Sequence, residues 1–449
     1  MLIHQPWLRI GNDIRVEYEQ CLREGRDVAG YEGVVNAFVT MDNELTLKNE
    51  AAVEALDYEM AHAPIREDYP FTEPSDLPGI LAASPSADNP PALPPCPPDA
   101  ALMDKLTGAW IGRIAGCLLG KPVEGWRRDL LWPVLKGTDN FPMNRYIRAS
   151  EFSPELIEKH NLYTGGCFAD NVCYASPADD DTNYTTFALK LVSRYGRNFT
   201  PDDVAEGWLA WIPAFSTCTA ERAAYRNIAA GYRPPETAVV KNPYREWIGA
   251  QIRGDFFGYI NPGDPKTAAE MAFRDASISH VKNGIYGEMF ISAMIAAAAV
   301  QSDIREIIET GLAFVPAKSR LTADVREVID LYAAGKTADE LIGHIHTRFN
   351  EYSANDWCYT NSNAMIVAMA LLCGDGDFGK SVCLAVQTGF DTDCNGATVG
   401  SVVGMLKGEG GIPEEWYAPF EKRLYTSIEG YNLVEVADLA KKTFDLLGR

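Results

Sequence analysis

Two stretches of this chain carry small residues at a spacing that only close backbone packing explains. Residues 103–119 read as a helix containing Gly108, Ala109, Gly112, Ala115 and Gly116. Beyond residue 395, Gly396, Gly400 and Gly404 recur at every fourth position of an otherwise apolar run. Glycine costs ~1 kcal/mol in a helix interior relative to alanine, so several on one helix imply that another backbone lies against it. The four-residue spacing puts the later three on one stripe. Strand-like alternation is scarce, and no P-loop, dinucleotide-binding glycine pattern, nucleophile elbow or internal repeat occurs. The coarse expectation is a mostly helical domain with its working loops at helix ends.

Composition narrows the class of partner. The chain has 449 residues, 47% hydrophobic and 23% charged, enough for a full core in one large domain plus an appendage or in two domains. A formal net charge of −22 argues against nucleic-acid backbones and anionic membranes, both of which reward clustered Lys and Arg. None of the 10 cysteines forms a C-x-x-C pair, which removes support for zinc-ribbon and thioredoxin readings. The amino-terminal residues lack the pattern of a signal peptide, and the longest apolar run, 289–300, is far below the ~20 residues that span a bilayer. The expected location is cytoplasmic.

Along the chain, residues 1–83 carry helix-like stretches at 13–23 and 44–60. Residues 84–100 are so rich in proline that they are expected to be extended, either as a tether or as a strap along the main domain. The main domain then occupies 101–449. Its first helix stops at Gly120-Lys121-Pro122, and Glu124 follows directly, either a solvated loop carboxylate or a site residue. The aromatic residues Trp208, Trp211 and Tyr225 read as core. Polar residues around Arg253 sit among apolar ones and suggest a buried network. Glu288 is expected to open the apolar helix 289–300 as a first-turn acid, and 354–373 reads as one helix. His280 is either a hydrogen-bonded structural histidine or a site residue. His344 and His346, two apart on a helix, point to different sides and are discounted as a metal pair.

Two acidic turns carry the chemistry. Asp179-Asp180-Asp181 opens a helix-like segment that needs only one aspartate as its cap, and adjacent carboxylates repel unless a proton or cation lies between them. Gly389-Phe-Asp391-Thr-Asp393-Cys394-Asn395 is a second such turn at a helix start. Each turn on its own reads equally as a solvated acidic loop. Together they suggest one hard-cation centre, Mg²⁺ being the natural occupant of a carboxylate and water shell.

With these residues in view, the chain resembles the ADP-ribosylglycohydrolase family. The likeness rests on Gly112-Arg-Ile-Ala-Gly-Cys-Leu-Leu-Gly120-Lys-Pro-Val-Glu124, Asp180-Asp181-Thr182, the Arg253 to His280 region and Gly389-Phe-Asp-Thr-Asp393, in the family's order. The resemblance implies an all-α orthogonal helical bundle holding two Mg²⁺ ions, or Mn²⁺, and an enzyme that cleaves the bond at C1 of a ribose in an ADP-ribosyl or related ribosyl conjugate. It makes Asp180, Asp181, Asp391 and Asp393 metal ligands and places Glu124 beside them, positioning water or substrate. His280 matches more loosely. Asp179 stands where relatives commonly have Ser or Thr, and Cys394 where they often have a ligating hydroxyl. A thiol is the poorer ligand for Mg²⁺, so the expectation is either that Asp179 supplies the missing oxygen or that the second metal binds more weakly. The resulting expectation assigns catalysis to Glu124 and Asp181, metal binding to Asp179, Asp180, Asp181, Asp391, Asp393 and Cys394, and substrate contact to Glu124, His280, Asn283, Tyr286 and Asn395. The alternatives are an N-glycosidase of a small nucleoside-like compound and a catalytically silent ADP-ribose-binding protein.

Overall fold

The computed structural model describes residues 5–447. Among them are 22 α-helices and one small antiparallel sheet, Arg423–Tyr425 against Leu433–Glu435 with Arg423 opposite Glu435. The all-α class expected from the sequence holds. No helix among the described residues is long and apolar enough to cross a membrane.

The two glycine stripes turn out to be the two faces of one interface. The helix Asp99–Gly120 runs antiparallel to the helix Thr392–Lys407 through the core. A Cβ at Gly112 would fall 2.0 Å from the Gly400 carbonyl oxygen, and one at Gly116 would fall 1.9 Å from that of Gly396. Any side chain there would separate the helices. The contact also sets their register, because Gly120 meets Thr392, whose hydroxyl donates to the Gly120 carbonyl at 2.9 Å. The loop leaving the first helix therefore starts beside the first turn of the second.

Three helix boundaries differ from expectation. The stretch 44–60 breaks at Asn49, which closes Asn43–Lys48 and opens Glu50–Ala61. The stretch 354–373 divides into Ala354–Trp357 and Thr360–Gly374. The division falls where a crossing segment takes over the backbone: Ile248 N donates to the Cys358 carbonyl at 2.7 Å and Thr360 N to that of Glu246 at 3.2 Å. Glu288 does not open a helix. It lies buried within Lys282–Ala298, 3.6 Å from Arg253. The polar residues Lys282 and Asn283 look like a loop in sequence, but both bond carboxylates packed against them, which lets the helix begin earlier.

The amino-terminal helices Ile10–Arg23, Glu32–Val39 and Glu50–Ala61 share their own apolar cluster of Ile10, Ile14, Val35, Val53 and Met60. They dock on the main body through buried charge. Arg245 pairs with Glu17 at 2.6 Å and with Glu24 at 2.7 Å, and Lys282 also reaches Glu24, at 2.8 Å. The proline-rich stretch and its approach lie along the main body as a strap: Thr72 N donates to Lys318 O, Ser86 N to Ala313 O, and Ala317 N to Ala83 O, each at 2.9 Å.

Candidate metal-binding active site

The glycine contact brings Glu124 to the second acidic turn, and Arg113 and Lys121, from the end of the same first helix, reach Asp181 and Asp179 of the first turn. Asp179 caps the helix Asp180–Tyr195, its carboxylate accepting from the Asp181 amide at 3.0 Å. Asp391 caps the helix Thr392–Lys407 after a turn in which Gly389 and Phe390 both have positive φ, 86° and 58°. Glycine adopts that conformation freely, whereas Phe390 is held in it by burial against the His346 ring, 5.0 Å away. Asn363 steadies the turn: its Oδ1 accepts from Asn395 Nδ2 at 2.8 Å and from the Asp391 amide at 3.4 Å.

Three overlapping sets of side chains offer ligand atoms within 4.8 Å of one another: Glu124 with Asp391 and Asp393, Asp181 with Asp393 and Cys394, and Cys117 with Asp179 and Asp181. Asp393 and Asp181 are each shared between two sets. Asp180 stands outside these sets but lines the same cavity of ≈ 300 Å³ as Glu124, Asp391, Asp393 and Cys394.

The electrostatics call for positive charge. Burial, then the neighbouring carboxylates, push Asp180 and Asp391 well above the ordinary carboxylate range. Asp181 is raised likewise, although Arg113 opposes the shift by donating to Asp181 Oδ1 at 2.9 Å. The other oxygen, Asp181 Oδ2, is buried with no hydrogen-bond partner. The charge of Asp393, then burial, raises Glu124 to about 7 against the pull of Lys121. Burial and the carboxylates hold the Cys394 and Cys117 thiols protonated. An unpartnered buried carboxylate oxygen among repelling carboxylates is the environment a divalent cation relieves. These residues fit one.

One cation of the chain's own already sits among them. Lys121 Nζ lies 2.6 Å from Asp179 Oδ2, 2.8 Å from Glu124 Oε2 and 3.2 Å from Asp393 Oδ2. Burial alone would raise Asp179, but Lys121 and the Asp181 amide outweigh it and hold that carboxyl below its usual range.

Not every expected residue comes to this place. Asn395 is buried beside the second turn. His280, Asn283 and Tyr286 are absent from the cavity wall. His280 Nδ1 bonds Ser279 Oγ at 2.8 Å, and burial, then Arg253, push its pKa well below the ordinary histidine range. Asn283 Nδ2 donates to Glu73 and Glu246, and Tyr286 OH to the Pro74 carbonyl, so both hold the amino-terminal segment in place. Arg253 closes a buried network, 2.7 Å from Glu221, which lines the cavity, and 2.6 Å from Asp275. The sequence reading missed Lys121, Arg113, Cys117 and Asn363. A lysine at a helix end and an arginine in a small-residue helix look ordinary until their partners are known.

Comparison with the curated proteins gives no match. Among solved structures, one described as an "ADP-ribosylglycohydrolase-related protein complex" is similar, with 18% identity over 77% of this chain and 99% of that chain and a TM-score of 0.49. The family model described as ADP-ribosylglycohydrolase matches residues 98–447. That match takes in both acidic turns and the two glycine-packed helices, and the chain belongs to the ADP-ribosylglycohydrolase family.

Proposed function

We propose that this protein is a Mg²⁺-dependent glycohydrolase that cleaves the bond at C1 of a ribosyl unit by attack of water. Its family is a metal-dependent family of hydrolases acting on glycosidic bonds. The observation that carries the reading further is the buried, unpartnered Asp181 Oδ2 in the two ligand sets that share Asp181, the second of which is joined to the Glu124 set through Asp393. Asp179, Asp180, Asp181, Asp391, Asp393 and Cys394 would hold the metal, two Mg²⁺ ions or Mn²⁺ in their place. A bound divalent ion supplies charge neutralisation, chelation of ribose hydroxyls and a more acidic water.

The remaining steps belong to the chain. Glu124 faces the cavity with 38% of its side chain exposed, and Lys121 occupies its Oε2, leaving Oε1 for water. The water oxygen bonds to C1 while the bond from C1 to the leaving group breaks, its electron pair departing with that group. The water proton passes to Glu124, whose raised pKa suits a base working near neutral pH. Positive charge developing at C1 is stabilised by the neighbouring carboxylates, as in glycoside hydrolysis generally. Asp181 serves from behind, held by Arg113.

Asp181→Ala and Asp393→Ala are expected to lose bound metal, measured by elemental analysis, and to lose at least a hundredfold in release of ribosyl product. Full metal content and full activity in both variants would overturn the reading.

A further inference from the structure

We propose that Trp7, from a segment outside the family match, determines substrate specificity, and that the cavity it helps to wall takes a small, phosphate-free riboside with a flat leaving group. This rests on the glycohydrolase reading and adds the class of substrate.

The cavity over the acidic turns is lined by three indoles, Trp7, Trp247 and Trp357, together with Glu124, Asp180, Glu221, Asp391 and Asp393. Among the described residues no Lys, Arg or His lines it. At ≈ 300 Å³ it lies at the small end of the range for ligand sites. A pyrophosphate there would meet carboxylates and indoles, because the nearest cations, Lys121 on Glu124 and Asp393 and Arg253 on Glu221, stand behind carboxylates of the wall and are paired with them. Metal bound at the acidic turns would neutralise the carboxylates but would leave the walls apolar.

The guanidiniums that touch this wall are already engaged. Arg222 lies over the Trp7 ring at 5.6 Å and donates to Thr217 Oγ1 at 3.1 Å. Arg127 lies over Trp357 at 5.1 Å and donates to the Gly125 carbonyl at 3.0 Å. Lys121 is shared among three carboxylates.

Trp7 is held in place rather than draped. Its backbone takes a positive φ of 62°, its ring packs on the cluster of Ala220, Tyr244, Trp247 and Cys358, and Arg226 anchors the next carbonyl, that of Leu8, at 2.9 Å. A fixed indole in the wall contacts a flat group at little entropic cost. Stacking of a base on an aromatic side chain corresponds to roughly tenfold to hundredfold in affinity.

The test uses the full chain loaded with Mg²⁺ and carrying Glu124→Gln, which removes the base, and titrates adenosine, inosine and ADP-ribose by calorimetry. Adenosine and inosine are expected to bind more tightly than ADP-ribose. Trp7→Ala is expected to weaken both nucleosides roughly tenfold to hundredfold while Trp7→Phe retains most of the affinity. In hydrolysis, measured with Glu124 in place, the loss is expected in KM rather than kcat. The proposal is overturned if ADP-ribose binds at least as tightly as the nucleosides, if no nucleoside binds, or if Trp7→Ala binds them like the unaltered protein. Nucleoside binding with the expected Trp7 pattern but no hydrolysis would uphold this inference while sinking the glycohydrolase reading.

Discussion

Lys121 puts a monovalent cation where the acidic turns would otherwise face only one another. Its ammonium competes for Asp179 and Asp393, two of the expected ligands. A unit charge about 4 Å from a bound divalent ion costs ~8 kcal/mol at an effective dielectric near 20, and partial exposure of Lys121 reduces that severalfold. Lys121→Met is therefore expected to tighten Mn²⁺ binding by roughly tenfold in calorimetry; an unchanged affinity would show that the ammonium yields to metal without cost. A second residue makes a pH test. Burial, then the charge of Glu17, push Asp57 up to about 7 from its ordinary 3.8. The folded protein thus keeps a proton that the unfolded chain releases, and this stabilisation, complete below about pH 4, is lost as pH rises through 7. Asp57→Asn should flatten the decline in melting temperature across that interval. The acidic turns were legible because adjacent carboxylates at helix starts have few structural uses. Lys121 and Asp57 were not, since their significance lies in neighbours brought from elsewhere in the chain.

At the level of elements, the paired glycine helices align the site. A Cβ at Gly116 would strike the Gly396 carbonyl, a backbone atom that cannot rotate away. Gly116→Ala is expected to cost about 3 kcal/mol in urea unfolding and to weaken metal binding, because it shifts the Asp393 turn away from Glu124. Gly343 gives the contrast. It lies inside the helix Ala338–Arg348, a Cβ there meets nothing within 4 Å, and Gly343→Ala should stabilise by about 1 kcal/mol. From the sequence, each glycine stripe announced a close neighbour without naming it, because spacing along one helix carries no information about its partner. The breaks at Asn49 and at Cys358–Tyr359 were illegible for a related reason. Apolar periodicity continues across both, and at the second a crossing segment ends the helix.

For the whole molecule, the amino-terminal helices depend on charges supplied by the main body. Arg245→Met would leave Glu17 and Glu24 buried without their main partner, a loss of about 3–5 kcal/mol. Hydrogen exchange should quicken in the helix Ile10–Arg23 while the helix Thr392–Lys407 keeps its protection. The proline-rich stretch was expected to be extended, yet Pro85–Ala87 forms a 3-10 turn and the first main-body helix begins at Asp99, and composition alone does not say what the stretch lies upon.

The docking of that segment also bears on how the protein is made. Glu17 waits for Arg245, 228 positions further on, and Lys121 waits 272 positions for Asp393. At the usual pace of translation the first of these delays is roughly ten to fifty seconds. During it, Glu17 lacks the arginine that buries it and stays hydrated on the face that will dock on the main body. Catalytic competence then arrives late and all at once, when the ribosome has delivered the second acidic turn.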